Sequence, residues 1–107
     1  MAHYLIQVAY TPESVAAMTK HPQNRIDQIR PAVEKLGGRI EDGYFCFGEY
    51  DLVTIVEFPD NVSSAAFALA VGSTGSCKAY KTTPLMTMSE AVQAMERASE
   101  TGYTPPK

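Results

Sequence analysis

Hydrophobic side chains occupy every second position from residue 4 to residue 10. A period of two is typical of a β-strand with two different faces, so the pattern predicts a first strand over residues 3–10. Thr11 then provides an N-cap and Pro12 stands at the first helical position, which predicts a short helix as far as Lys20. The faces of the predicted strand are formed by Tyr4, Ile6, Val8 and Tyr10 on one side and by His3, Leu5, Gln7 and Ala9 on the other.

The hydrophobic positions change to a period of three or four between residues 23 and 36, which predicts an amphipathic helix. His-Pro at 21–22 separates this helix from the first, because a residue before proline avoids the helical region. Pro31 is expected to kink the helix locally. Gly37-Gly38 is expected to end it through a left-handed cap.

Two further helices are predicted nearer the C-terminus. Asp60 is the expected N-cap of the first, and Thr87 with Glu90 forms a capping box at the start of the second. We expect the second helix to pack against Phe67 and Val71, which lie off the apolar stripe of the first helix. That stripe consists of Val62, Ala65, Ala66, Leu69 and Ala70.

Three more strands are predicted from short runs of β-branched and aromatic residues. The second covers residues 39–47 and meets the third, residues 50–58, across a two-residue type II′ turn at Gly48 and Glu49. The fourth covers residues 77–85, and Pro84 limits it to a sheet edge or a terminus.

The order strand, helix, strand, strand, helix, strand predicts an α+β, ferredoxin-like βαββαβ subunit with both crossover helices on one side of the sheet. We expect a single domain over residues 1–107, with a core at 3–86, an added C-terminal helix at 88–101 and a tail at 102–107. The opposite face of the sheet is then left uncovered.

The uncovered face is too apolar for a surface in water, because Val53 and Ile55 alternate with other apolar residues along the third strand. Burying ~400 Å² of such surface per subunit at ~25 cal/mol per Å² is worth on the order of 10 kcal/mol before association costs. This predicts a homodimer that pairs through the sheet face. The pattern does not decide whether dimers associate into higher oligomers. The alternative is that the C-terminal helix covers the face within one chain.

Composition excludes several classes of function. The 107 residues carry a net charge of −3 with no dense cluster of Lys and Arg, so no nucleic-acid partner is expected. No apolar run approaches the ~18 residues that span a bilayer, and no secretory signal precedes the first strand, which favours a cytoplasmic protein with no membrane partner. Cys46 and Cys77 are too few for a disulfide framework or a zinc site, and we expect no metal and no cofactor.

The segment FGEYDLVTIVEFPD, preceded by LGGRIEDGYF and followed by an alanine-rich helix and GSTGS, resembles the GYD domain family. Gly48, Tyr50 and Asp51 stand in for the glycine, tyrosine and aspartate of the family signature. The resemblance implies a ferredoxin-like subunit that pairs as a dimeric α/β barrel. Distant relatives of such proteins include cofactor-independent monooxygenases, muconolactone-isomerase-like enzymes and stress-responsive barrel proteins, so the resemblance brings no single function.

Tyr50 and Asp51 are the first candidate site. A phenol and a carboxylate at the start of a strand can bind a small ligand or move a proton at the mouth of a barrel. The structural interpretation, which the residues favour, is that Asp51 accepts backbone hydrogen bonds and makes the hairpin rigid.

A second candidate group combines polar side chains with the apolar sheet face. If His3, Gln7 and Glu57 share the face of Val53 and Ile55, polar groups converge in an apolar layer, as in a small-molecule pocket. The alternative is that they lie at strand ends and contact water. Two weaker anion sites are the start of the long helix, at His21 and Arg25, and the glycine loop 72–75.

These observations favour a homo-oligomeric domain that binds a small apolar or aromatic molecule between sheet and helices, or that serves only in assembly. The ligand-binding candidates are Gln7, Tyr44, Tyr50, Asp51 and Glu57. The alternative is a cofactor-independent oxygenase or isomerase, with Tyr50, Asp51, His3 and Tyr44 as candidates for proton transfer.

Overall fold

The computed structural model describes residues 1–106. The chain forms four strands and four helices in the order β1 (Ala2–Tyr10), α1 (Pro12–Lys20), α2 (Arg25–Lys35), β2 (Arg39–Phe45), β3 (Leu52–Phe58), α3 (Asn61–Gly72), β4 (Cys77–Leu85) and α4 (Met88–Ser99).

The strands form one antiparallel sheet in the order β2-β3-β1-β4, with β1 and β3 in the centre. This is the predicted ferredoxin-like α+β arrangement. Directly opposite residues of antiparallel strands share a face, so the register assigns each side chain to one side. Val8 pairs with Leu52 and with Tyr80, and these residues face the helices.

The core lies between the sheet and the helices α2 and α3. Its innermost side chains, all nearly inaccessible to solvent, are Phe58, Ile6, Val33, Val56 and Thr54. The hydroxyl of Thr54 is satisfied, because it donates to the carbonyl of Asp42 at 2.7 Å. Alternation in β1 and β3 therefore grouped the side chains of both central strands by face correctly.

The connection between β2 and β3 is longer than the predicted two-residue turn. β2 ends at Phe45 and β3 begins at Leu52, so the prediction of a type II′ turn at Gly48 and Glu49 is wrong. The reason is that Asp51 is bound to β1: its amide donates to the carbonyl of Val8 at 2.8 Å. The connection is a longer hairpin loop, in which the amide of Cys46 still donates to the carbonyl of Asp51 across the two strands.

The apolar stripe predicted for α3 faces outward instead of inward. Val62 and Leu69 are 78% and 73% exposed, whereas Ser64 and Phe67 are buried. The ring of Phe67 lies 6.0 Å from that of Phe58 and 6.5 Å from that of Tyr80. Alanine and valine residues of α3 lie on nearly every side of the helix, so the pattern of hydrophobic residues could not identify its buried face.

The helix α4 does not pack against Phe67 and Val71, so that prediction is wrong. It does not cover the open sheet face either, which was the alternative to a dimer. All of its residues except the half-buried Ala91 are exposed. The chain has a radius of gyration of 17.1 Å, against about 13 Å for a compact domain of this length. The capping box of Thr87 and Glu90 is formed as predicted, and α4 projects from the fold with Met88, Val92 and Met95 exposed.

No helix within residues 1–106 combines the length and hydropathy needed to cross a lipid bilayer.

Candidate functional site

A cavity of about 230 Å³ lies between the helix-facing side of the sheet and the helices α2 and α3. It exists because α2 packs over β2 while α3 packs over β3 and β4, which leaves a gap above β1. The walls are mostly apolar, and the polar groups are few. The lining residues from the strands are Ile6, Val8, Tyr10, Leu52, Thr54, Cys77 and Tyr80, and those from the helices and the loop after α3 include Arg25, Ile29, Phe67, Val71 and Thr74.

Tyr80 lines this cavity, and its hydroxyl is an unusual buried polar group. It is buried and has no hydrogen-bond partner among residues 1–106. Burial raises the pKa of Tyr80 far above its ordinary value, with a smaller contribution from Cys77, while Thr82 lowers it slightly without a hydrogen bond of good geometry. The phenol is therefore protonated at neutral pH and is a donor without an acceptor, which costs ~1–3 kcal/mol in a folded chain.

Tyr10 and Arg25 form a second polar group at the same cavity. Burial raises the pKa of the Tyr10 phenol, and the neighbouring Arg25 guanidinium opposes this rise. The side chain of Arg25 also donates to Oε1 of Gln23 at 2.6 Å. Within the described part of the chain, Arg25 forms no ion pair with a carboxylate.

At both weaker anion sites, most backbone donors are already bound within the chain. At the start of α2, Oδ1 of Asn24 accepts from the amides of Ile26 and Asp27, so this helix end is capped. After α3, the amides of residues 73–76 all donate to acceptors within residues 69–74. His21 is exposed at the end of α1. Of these candidates, Arg25 and Thr74 of the glycine loop line the cavity between the sheet and the helices.

Asp51 connects the β2–β3 loop to the end of β1. Its Oδ2 accepts from the buried amide of Tyr10 at 2.9 Å, and its carbonyl accepts from the amide of Cys46 at 2.7 Å. Tyr50, next to it, is half-buried, and its carbonyl accepts from the thiol of Cys46 at 3.1 Å. Gly48 has a φ of +138°, a conformation that favours glycine. The glycine and aspartate of the predicted signature therefore have structural roles in this loop.

On the open sheet face, His3 lies between two glutamates. Its Nδ1 is 2.9 Å from Oε1 of Glu41 and its Nε2 is 3.4 Å from Oε1 of Glu57. Arg39 donates to Oε2 of Glu57 through Nε and Nη2, at 2.8 and 2.6 Å. This hydrogen bond is the main cause of a lowered pKa for Glu57.

The same three residues are close enough to share a metal ion, because one donor atom of each lies within 4.8 Å of the others. Each donor atom, however, already has a partner in this cluster. As arranged, Arg39 forms an ion pair with Glu57, and the two imidazole nitrogens of His3 lie within 3.4 Å of Glu41 and Glu57.

In a comparison with protein families, the family model of the GYD domain matches residues 4–95 of the chain. The chain belongs to the GYD domain family. Comparison of this GYD domain with curated proteins gives no match.

The fold of the GYD domain recurs in solved structures. MtbAldR superposes with a TM-score of 0.62 at 20% identity, covering 80% of this chain and 53% of its own. FFRP-DM1 has a TM-score of 0.50 at 15% identity, covering 80% of this chain and 100% of its own. The GYD domain thus spans about half the length of MtbAldR. At these identities the likeness concerns the fold alone.

The candidates for ligand binding and proton transfer lie outside the sheet–helix cavity of the GYD domain, namely His3, Gln7, Tyr44, Tyr50, Asp51 and Glu57. His3, Gln7 and Glu57 share the open face with Val53 and Ile55, as the second candidate group required. Tyr44 pairs with Val53 on that face, is 66% exposed, and donates to Oδ2 of Asp42 at 3.3 Å.

The two cysteines lie apart. Cys77 starts the edge strand β4 and lines the cavity, whereas Cys46 lies just beyond the other edge strand, β2. Both are half-buried.

Sequence reasoning missed Tyr10 and Tyr80 as cavity residues. Both fall on the helix-facing side of a strand, which the alternation does indicate. Their importance arises from the gap between α2 and α3, and no local pattern reports such a gap. The sequence did contain one signal for these residues, namely a tyrosine at a position that faces the core. A buried phenol normally requires a hydrogen-bond partner.

Proposed function

We propose that this GYD domain is a homodimer in which each subunit binds one small apolar or aromatic molecule in the cavity between the sheet and helices α2 and α3. The observation that carries the proposal is the apolar cavity itself, together with Tyr80, a lining residue whose buried hydroxyl is a donor without an acceptor. Ligand sites combine apolar walls with a few such polar groups. An acceptor on the ligand satisfies the phenol and removes its desolvation cost.

The cavity volume limits the ligand to a small one. At about 230 Å³ the cavity is smaller than the ~300–1,000 Å³ of typical ligand pockets. It is larger than an engineered cavity of roughly 150 Å³ that binds benzene. A single ring with one or two substituents therefore matches the space.

Two apolar surfaces support the homodimer. The open face presents Leu5, Val53 and Ile55, none of which a helix of the same chain covers. The helix α4 follows directly from β4, whose Leu85 pairs with His3 on that face, and leaves its own apolar side exposed. A second copy covers both surfaces in one interface, with Gln7, Tyr44 and Glu57 within its polar part.

Calorimetric titration with 4-methylphenol tests the binding proposal. Val71→Trp fills the cavity from α3 and is expected to abolish the binding seen with the native chain. Val62→Trp is the matched control, because it places the same side chain on the exposed side of the same helix. Absence of binding to the native chain, or equal binding to both variants, contradicts the proposal.

Sedimentation equilibrium at micromolar concentration tests the dimer. The native chain is expected at twice its mass of 11.7 kDa. Ile55→Lys places a charge in the interface and is expected to give monomers, whereas Val62→Lys, away from the open face, leaves the dimer intact. A native chain that sediments as a monomer refutes this part. If the chain is a dimer that binds no ligand, the domain serves only in assembly.

The second candidate function is a cofactor-independent oxygenase or isomerase. It is favoured by the two cavity tyrosines, Tyr10 and Tyr80, whose protonated phenols can donate hydrogen bonds to negative charge that develops on a substrate. Their raised pKa values make both phenols weaker acids than an ordinary tyrosine, so this role is hydrogen bonding and not proton release. Tyr50, Asp51, His3 and Tyr44 are the candidates outside the cavity. Oxygen uptake, and deuterium exchange into a bound phenol, separate an enzyme from a passive binding protein.

A further inference from the structure

We propose that the cavity selects an anionic ligand: a small aromatic or aliphatic body carrying a carboxylate, which binds Arg25 and the Tyr80 hydroxyl. The inference rests on the proposed binding function and specifies the chemical class of its ligand.

Charge is the first argument. Arg25 is the only charged side chain among the described residues that line the cavity. No acid balances it there, although the whole chain is acidic, with a net charge of −3. A half-buried guanidinium without a counterion favours an anion more strongly than an exposed one does, because water screens it less.

The position of the second donor is the next argument. Tyr80 pairs with Val8, and Tyr10, beside Arg25, lies two residues further along the same face of β1. Two residues of a strand span roughly 6–7 Å. A ligand of one ring with a carboxylate is thus long enough to contact both Arg25 and the Tyr80 side chain from one position in the cavity. The Tyr80 hydroxyl is almost inaccessible in the ligand-free chain, so its bond to the ligand requires the ring to turn toward the cavity.

Hydrogen-bond chemistry selects the carboxylate. A guanidinium and a protonated phenol are both donors, and neither supplies an acceptor at neutral pH beyond the weak phenolic oxygen. A carboxylate accepts from both, and the guanidinium fork matches its two oxygens. A cationic ligand is repelled by Arg25, and a neutral ligand leaves the charge of Arg25 unused.

Calorimetric titration with 4-methylbenzoate and its neutral analogue 4-methylbenzamide tests the inference at pH 7. The two probes share shape and size and differ in charge. We expect the native chain to bind the carboxylate at least about tenfold more tightly, as one charge-assisted hydrogen bond predicts. Arg25→Gln should remove this preference, and Arg25→Lys should retain part of it.

Arg30→Gln is the matched control for Arg25, because it removes the same charge from the same helix outside the cavity. Its expected effect on either dissociation constant is less than about twofold. Far-UV circular dichroism of each variant confirms that α2 is intact.

Tyr80→Phe tests the second contact. Loss of the hydroxyl should weaken 4-methylbenzoate binding by about five- to tenfold, while Tyr103→Phe, on an exposed tyrosine of the tail, changes nothing. Unchanged binding to Tyr80→Phe overturns the assigned contact.

The outcomes separate the two proposals. If the amide binds as tightly as the carboxylate, with both excluded by Val71→Trp, the cavity binds ligands but the anionic class is wrong. The same holds if Arg25→Gln keeps the full preference for the carboxylate. If neither probe nor 4-methylphenol binds, the binding function itself fails, and the inference with it.

Discussion

Replacement of Asp51 by alanine tests whether the aspartate of the family signature holds the fold together. Its carboxylate accepts from the amide of Tyr10, a residue that is only 6% exposed, at 2.9 Å. A hydrogen bond to a charged group contributes ~1.5–3 kcal/mol, and the alanine variant also leaves a buried amide without a partner. We therefore expect Asp51→Ala to lower the free energy of unfolding by about 2–3 kcal/mol.

The assay is urea denaturation followed by circular dichroism at one fixed protein concentration, since subunit association makes stability depend on concentration. The midpoint should fall without a change in slope, and the melting temperature should fall by roughly 10–20 °C. Asp51→Asn keeps an acceptor oxygen and should lose about half as much. Glu49→Ala, an exposed position in the same loop, is the control.

A stability loss below about 0.5 kcal/mol for Asp51→Ala, comparable with an ordinary surface substitution, refutes this reasoning. Asp51 would then be free for a role in binding or proton transfer. A large stability loss with unchanged affinity for 4-methylphenol supports the structural role.

Three further predictions follow from single contacts. Gly38→Ala places a Cβ 2.7 Å from the carbonyl oxygen of Glu57 and 2.7 Å from a ring carbon of Phe58, so it should destabilise the chain by more than ~2 kcal/mol in urea unfolding; Gly72→Ala, which meets nothing within 4 Å, should be neutral or stabilising. The pKa of Glu57 is lowered in the folded chain, so its ionised form stabilises the fold above the unfolded value of 4.5, and this contribution disappears as pH falls through the lower folded value. The difference in unfolding free energy between the native chain and Glu57→Gln should therefore be largest near neutral pH and vanish in acid. A difference that does not depend on pH contradicts the ion pair with Arg39. Tyr80→Phe should raise the melting temperature of the ligand-free chain, because it removes a buried donor without an acceptor, and a lower melting temperature shows that the hydroxyl has a partner.

The fold followed from sequence where one physical signal dominated. Alternation grouped the side chains of β1 and β3 by face, and caps such as Thr11 and Thr87 set helix starts correctly. Asn24, the cap of α2, was not recognised, so that helix was started two residues early.

Prediction failed where the decisive contact is distant in sequence. The β2–β3 connection depends on hydrogen bonds from Asp51 to β1, about forty residues away, which turn rules do not include. The buried side of α3 depends on the rings of Phe58 and Tyr80, because its own sequence is apolar nearly all round.

The candidate site shows the same division. The alternation of side chains along a strand allowed His3, Gln7 and Glu57 to be assigned to one face. The cavity, in contrast, is a gap between α2 and α3, which are separated in the sequence by two strands. Arg25 was selected because it lies at the start of a helix, whereas in the structure it lies beside Tyr10 and lines the cavity.

Methyl NMR of the isotope-labelled chain titrated with 4-methylbenzoate tests ligand binding in the cavity most directly, because both faces of the same sheet carry methyl groups. The methyls of Ile6, Val8 and Leu52 face the cavity, and those of Leu5, Val53 and Ile55 face the opposite side. We predict saturable shifts and intermolecular NOEs for the first set, with the second set unchanged. Shifts confined to the second set, or none at saturating ligand, contradict binding in the cavity.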